Sequence, residues 1–105
     1  MLASQGVNPG ANQLTLTARI AELHSLRYTP AGLPALDLRL EHETRLQELG
    51  QERQARADVK AVAFGALAES LSQQTIGSYW RFKGFVATPR NGKNLVFHIQ
   101  EFSQD

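Results

Sequence analysis

The sequence predicts an all-β protein, a five-stranded Greek-key barrel with one short helix between the third and fourth strands. Three observations carry that prediction. Apolar and polar residues alternate with a period of two in successive segments, clusters of Gly, Pro and Asn separate those segments, and only the stretch after Gly65 has helical spacing. With 105 residues, 42% of them hydrophobic and 20% charged, the chain has length for a single core.

Residues 1–12, with Gly6, Asn8, Pro9, Gly10 and Asn12 interleaved, have no period and read as an arm ahead of a domain over 13–102, with 103–105 as a short end. The first strand is set by Leu14, Leu16, Ala18 and Ile20 alternating with Thr15, Thr17, Arg19 and Ala21. Arg27-Tyr28-Thr29-Pro30-Ala31-Gly32-Leu33-Pro34 follows as a connector. Pro30 suits the second position of a turn, Gly32 can take a positive φ, and Pro34 cannot donate to a ladder. Leu36, Leu38 and Leu40 then alternate strictly with Asp37, Arg39 and Glu41 as a second strand.

Residues 43–57 hold good helix formers but only Leu46 and Leu49 as large apolar residues, with Gly50 between the halves. Propensity favours a short helix there, but no helical face could dock, and a mobile hairpin loop between two long strands fits as well. Asp58–Phe64 reads as the third strand, with Val59, Ala61 and Ala63 on one side and Val62 and Phe64 on the other. Leu67 and Leu71, four apart, predict one or two helical turns ending before Gly77. Tyr79 to Val86 forms the fourth strand, and Thr88–Lys93 a turn with Asn91-Gly92 at its tip. Leu95 to Phe102 forms the fifth, with Leu95, Phe97 and Ile99 on one face. Five strands with a helical connector between the third and fourth describe the OB-fold, a barrel that binds oligonucleotides or oligosaccharides.

Composition excludes several chemistries. Without cysteine there is no disulfide framework, thiolate nucleophile or Cys-based zinc site. His24, His42 and His98 have no i, i+4 partner, so no metal centre is expected, and no nucleophile or phosphate-loop motif points to an enzyme or a cofactor. No apolar run approaches the ~20 residues of a membrane helix, and the first residues lack the basic head and apolar stretch of a signal peptide, so a cytoplasmic protein is expected.

The net charge of +1 averages an uneven chain. From Ser70 to Gln100 there is no Asp or Glu, while Arg81, Lys83, Arg90 and Lys93 are present. Such a stretch is either an anion-binding face or a guarded sheet edge. Arg81 and Lys83 alternate with Trp80 and Phe82. If the aromatics pack the barrel or a dimer interface, the cations point outward. Arg90 and Lys93 flank the predicted turn tip, where a phosphate can reach them. Tyr28, beside Arg27, is a candidate base-stacking aromatic.

The segment RYTPAGLPALDLRLEHE at 27–43 resembles the part of bacterial single-stranded-DNA-binding proteins in which a Thr-Pro-x-Gly turn leads into an alternating strand. Val62-Ala63-Phe64-Gly65-Ala66-Leu67-Ala68-Glu69 is similar to that superfamily's third strand and helix entry, and Lys83-Gly84-Phe85 to its recurrent Gly of strand four. Leu40-Glu41-His42, Gly84-Phe85 and the Asn91-Gly92 turn look most like its short primosomal branch. The parent proteins carry a long tail ending in an acidic recruiting peptide, whereas this sequence stops at Ser103-Gln104-Asp105, so recruitment through such a peptide is not expected.

The resemblance implies a homodimeric OB-fold that binds single-stranded DNA and bridges the PriA helicase, DNA and a helicase-loading protein during restart of stalled forks. It also implies that Arg53 and Arg56 lie where relatives place an aromatic, with Arg56 in its position. A guanidinium can stack on a base and pair with phosphate, but with less contact area. Glu43, Glu48 and Glu52 bring that loop close to neutral, so weaker DNA binding is expected. The alternative is an adaptor whose basic face docks an acidic protein partner, with incidental nucleic-acid affinity.

Overall fold

Leu36, Leu38 and Leu40 point into the core, as their alternation predicts, where they meet Ile20, Leu71, Phe82 and Phe97. Burial of each of these larger side chains stabilises the fold by about 1.5–3 kcal/mol. The computed structural model describes residues 9–104. It contains β1 (Leu14–Leu23), β2 (Arg27–Tyr28), β3 (Pro34–Glu48), β4 (Gln51–Phe64), α1 (Ala66–Ser72), β5 (Tyr79–Ala87) and β6 (Val96–Ser103). Of the arm expected over 1–12, residues 1–8 lie outside the described residues. The Asn12 side-chain amide exchanges two hydrogen bonds with the Val86 backbone, donating to its carbonyl at 2.7 Å and accepting from its N–H at 3.0 Å, and so ties residue 12 to β5.

One strand closes the barrel by changing partners. β1 pairs antiparallel with β5 through Leu14–Arg19, then with β3 through Arg19–Leu23, with an irregularity between Ile20 and Glu22 that bends the strand. β3 pairs with β4, β4 runs parallel to β6 at Ala61 and Val62, and β6 returns to β5. The five long strands therefore form a closed OB-fold barrel, with α1 between the third and fourth of them. Gly65, at φ +73, starts the helix and donates its N–H to the Pro34 carbonyl at 2.8 Å. Ala68 and Leu71 bury the helix against the core.

The connector at 27–34 turns as predicted. Gly32 N–H bonds the Thr29 carbonyl at 2.8 Å, Pro30 is second in that turn, and Gly32 has φ +86. It also contains a two-residue strand that the sequence reading missed, with Arg27 opposite Ala35 and Tyr28 opposite Pro34.

The larger correction concerns 43–57: no short helix forms, and the hairpin between two long strands is there as paired strand instead of loop. β3 and β4 pair without interruption from Ala35↔Phe64 to Glu48↔Gln51 and form a two-stranded ribbon that continues past the barrel. Its turn is Leu49-Gly50, both at positive φ (53° and 79°), as a two-residue type I′ hairpin requires. Cross-strand charge pairs replace a hydrophobic face: Arg53 to Glu48 at 3.1 Å, Arg56 to Glu43 at 3.5 Å and Arg45 to Glu52 at 3.7 Å.

A bulge shapes the β5–β6 pair. Lys83 lies opposite Glu101 but Gly84 lies opposite Ile99, so Gln100 is the extra residue. The bulge presses β6 against Gly84, whose added Cβ would stand 2.9 Å from the His98 carbonyl carbon and 3.0 Å from Phe97 Cε1, with the His98 carbonyl oxygen closer still.

Two smaller expectations change. The β5–β6 connection turns over Pro89–Gly92, with Gly92 N–H on the Pro89 carbonyl at 3.0 Å, so Arg90-Asn91 and not Asn91-Gly92 is its tip. Leu95 precedes β6 and is 62% exposed, because pairing begins only at Val96↔Ala87 and nothing aligns it with Phe97 and Ile99 on the core face. His42 lies within β3, held by a bond to the Thr17 carbonyl at 2.6 Å, because the strand runs on through the ribbon.

Candidate nucleic-acid interface

Strand parity sorts the side chains of β5. Phe82 is fully buried, while Tyr79, Arg81 and Lys83 are exposed on the opposite face. Trp80 packs edge-on against Phe102, ring centroids 5.0 Å apart, and donates its indole N–H to Ser78 Oγ at 2.9 Å. It is a packing residue, as its alternation with Phe82 predicts. Tyr79 is 66% exposed and is the aromatic the sequence reading passed over. Its signal was its place, two residues before Arg81 on the polar face of the strand. Phe85, on that same face, stacks on His98 at 4.7 Å and 13°, and Phe64 lies on the other side of His98 at 6.1 Å.

The eight residues singled out in the sequence do not form one continuous face. Arg27 and Tyr28 lie on β2, Arg53 and Arg56 on the ribbon, Arg81 and Lys83 on the outer face of β5, and Arg90 and Lys93 in the β5–β6 turn. The ribbon base and β5 do converge: Arg19, Arg56 and Tyr79 line one open groove together with the carboxylates of Glu41, Glu43 and Asp58.

Ion pairing separates the cations more sharply than position does. Arg27 grips Asp37 with two bonds, from Nε at 2.6 Å and from Nη2 at 3.1 Å. Arg39 is surrounded by Glu22 (3.3 Å), Glu41 (2.9 Å) and Asp58 (2.8 Å), and Arg19 also pairs with Glu41. Glu41 and Glu43 are thus both engaged in ion pairs. Lys83 lies 3.6 Å from Glu101, the three ribbon arginines are paired as described, and Arg81 also has an interacting partner. Of the eleven Lys and Arg, all within the described residues, Lys60, Arg90 and Lys93 have no carboxylate at ion-pair distance among those residues. A phosphate can approach those three without first breaking a salt bridge.

The Arg27 guanidinium holds the Asp37 carboxyl below its ordinary value, first through their hydrogen bond. A lowered folded-state pKa adds stability that is complete above the unfolded value and is lost as pH falls through the folded one. Both side chains are about half exposed, so the pair contributes at most about 1 kcal/mol. Asp37→Asn is expected to lower stability by no more than that at pH 7 in urea melts. The difference from wild type should shrink as pH falls through the folded pKa, and a gap that stays constant on acidification would contradict the assignment.

Among the described residues no group of three or more His, Asp or Glu side chains could hold a metal ion, and no helix is long and apolar enough to cross a membrane.

A closed barrel of this strand order, with exposed cations on its β5–β6 turn, on β5 and along the β3–β4 ribbon, defines the class as an OB-fold. The sequence model of a family described as "Another single-strand binding protein family" matches residues 12–101. The chain is 41% identical over 91 residues to the replication restart protein PriB of Bordetella pertussis, covering 86% of this chain and 85% of that protein. It superposes on the PriB structure from Ralstonia solanacearum with a TM-score of 0.82 at 33% identity, covering 90% of this chain and 98% of that one. The chain belongs to the PriB family of replication restart proteins, within the single-strand-binding superfamily. The single-stranded DNA binding protein of Thermus aquaticus shares the fold, with a TM-score of 0.72 at 24% identity, covering 90% of this chain and 50% of that one.

Proposed function

We propose that this protein is a non-catalytic, single-stranded-DNA-binding component of the replication-restart machinery, acting in the cytoplasm as a homodimer that bridges DNA, the PriA helicase and a helicase-loading partner. The observation that carries the DNA-binding part is a pair of cations, Arg90 and Lys93, that have no carboxylate at ion-pair distance among the described residues and stand on an exposed turn of an OB-fold barrel. Arg81, Lys83 and Tyr79 extend the contact along β5, with Arg27 and Tyr28 as outlying contacts. Arg53 and Arg56 contribute little, because each would first have to leave its glutamate. Labelled oligo-dT tests the reading by anisotropy. Binding that weakens steeply when salt is raised from about 50 to about 200 mM supports it; a flat signal at every salt concentration overturns it.

The edge of β1 supports dimerisation. Over Leu14–Ala18, β1 pairs with β5 on one side and, among the described residues, with no strand on the other, which leaves an edge that a second copy could extend. Sedimentation at micromolar concentration should give twice the 11.6 kDa chain mass, and a single-chain species alone would contradict it.

The exposed faces of Leu33 and Phe64 favour a protein-docking component in addition. In the second reading, an adaptor uses its basic turn mainly on an acidic protein partner. Reversal of both turn charges that abolishes partner binding but leaves oligo-dT affinity intact selects that reading.

A further inference from the structure

Lys60 was not among the residues the sequence singled out, and its surroundings are unusual. It lies directly opposite Arg39 in the β3–β4 ladder, and like charges at opposed positions destabilise a sheet. Glu22, Glu41 and Asp58 all turn toward Arg39, so Arg39 is compensated and Lys60 is not. Lys60 is exposed and lines an open groove with Arg39, Asp58, Val59, Asn94 and Leu95, which places it beside the end of the turn that carries Arg90 and Lys93; the Asp58 carboxylate in that groove is held by Arg39 at 2.8 Å. Leu95 offers that groove an exposed apolar surface, and Asn94 a side-chain amide.

We propose that Lys60 is a phosphate-binding residue and extends the turn's grip across the β6–β4 junction, so that a single strand held at Arg90 and Lys93 passes over Leu95 and sets a further phosphodiester against the Lys60 ammonium. The inference rests on the proposed DNA-binding role. A cation with no carboxylate at ion-pair distance releases a condensed counterion when it takes up a phosphate, whereas a salt-bridged one exchanges one partner for another.

The test is a salt series of anisotropy titrations with oligo-dT on the wild type, Lys60→Ala, Lys60→Arg and the ribbon control Arg45→Ala, each checked by thermal melting. One phosphate contact to a single strand contributes about 0.7 to the slope of log K against log salt, equivalent to about fivefold in affinity at 0.1 M salt. Lys60→Ala should lose both, Lys60→Arg should keep both, and Arg45→Ala should match wild type. A wild-type protein that binds with salt dependence while Lys60→Ala keeps its slope and affinity overturns this inference alone. A wild type with no salt-dependent binding overturns the DNA-binding role itself.

Discussion

Replacing both turn cations, Arg90→Glu with Lys93→Glu, is expected to lower oligo-dT affinity by more than about 25-fold at 0.1 M salt and to remove about 1.4 from the slope of log K against log salt, since two single-strand phosphate contacts are worth that much. The added repulsion makes 25-fold a lower bound. Both side chains are exposed and have no carboxylate partner among the described residues, so melting temperature should hardly change. The same reversal at Arg45 and Arg53 should cost far less, because Glu52 and Glu48 already neutralise them. Equal losses from the turn and from the ribbon would show that ion pairing does not decide which cations bind.

Gly84→Ala is expected to be the most damaging single methyl in the barrel. The new Cβ would overlap the His98 carbonyl, which is backbone and is held there by the β6 bulge, so no side-chain rotation relieves it. Overpacking of this kind costs typically 1–3 kcal/mol and occasionally more. Here the β5–β6 ladder must itself separate, so a loss of at least about 3 kcal/mol and a fall in melting temperature of more than about 10 °C are expected. Gly92→Ala is the comparison, since a Cβ there meets only Pro89 side-chain atoms at 3.4 Å, and it should cost less than about 1 kcal/mol. A Gly84→Ala protein that melts like wild type would contradict the bulge geometry.

Much of the barrel could be read from the chain because alternation is strict wherever one face is buried. Leu36, Leu38 and Leu40, the Trp80/Phe82 pair and Leu67 with Leu71 each declared their element. The ribbon was not legible for the same reason. With no core beneath it, its strands have no apolar period, and they are held by cross-strand charges and the Leu49-Gly50 turn. The short β2 was hidden inside a correctly read turn.

At the candidate site, the outward direction of Arg81 and Lys83 followed from parity. Which cations remain free did not, because that depends on partners distant in sequence, such as Asp37 ten residues from Arg27 or Asp58 nineteen from Arg39. Lys60 was overlooked because its significance lies in the loop that packs beside it. Phe85 is adjacent to His98 only because the bulge at Gln100 sets that register.

The most direct test is the wild-type slope of log K against log salt for oligo-dT. Three free cations, Lys60, Arg90 and Lys93, set an expected slope of about −2 at about 0.7 per contact. A slope near zero would contradict phosphate binding altogether, and a slope of about −4 or steeper would show that the salt-bridged arginines bind as strongly as the free ones.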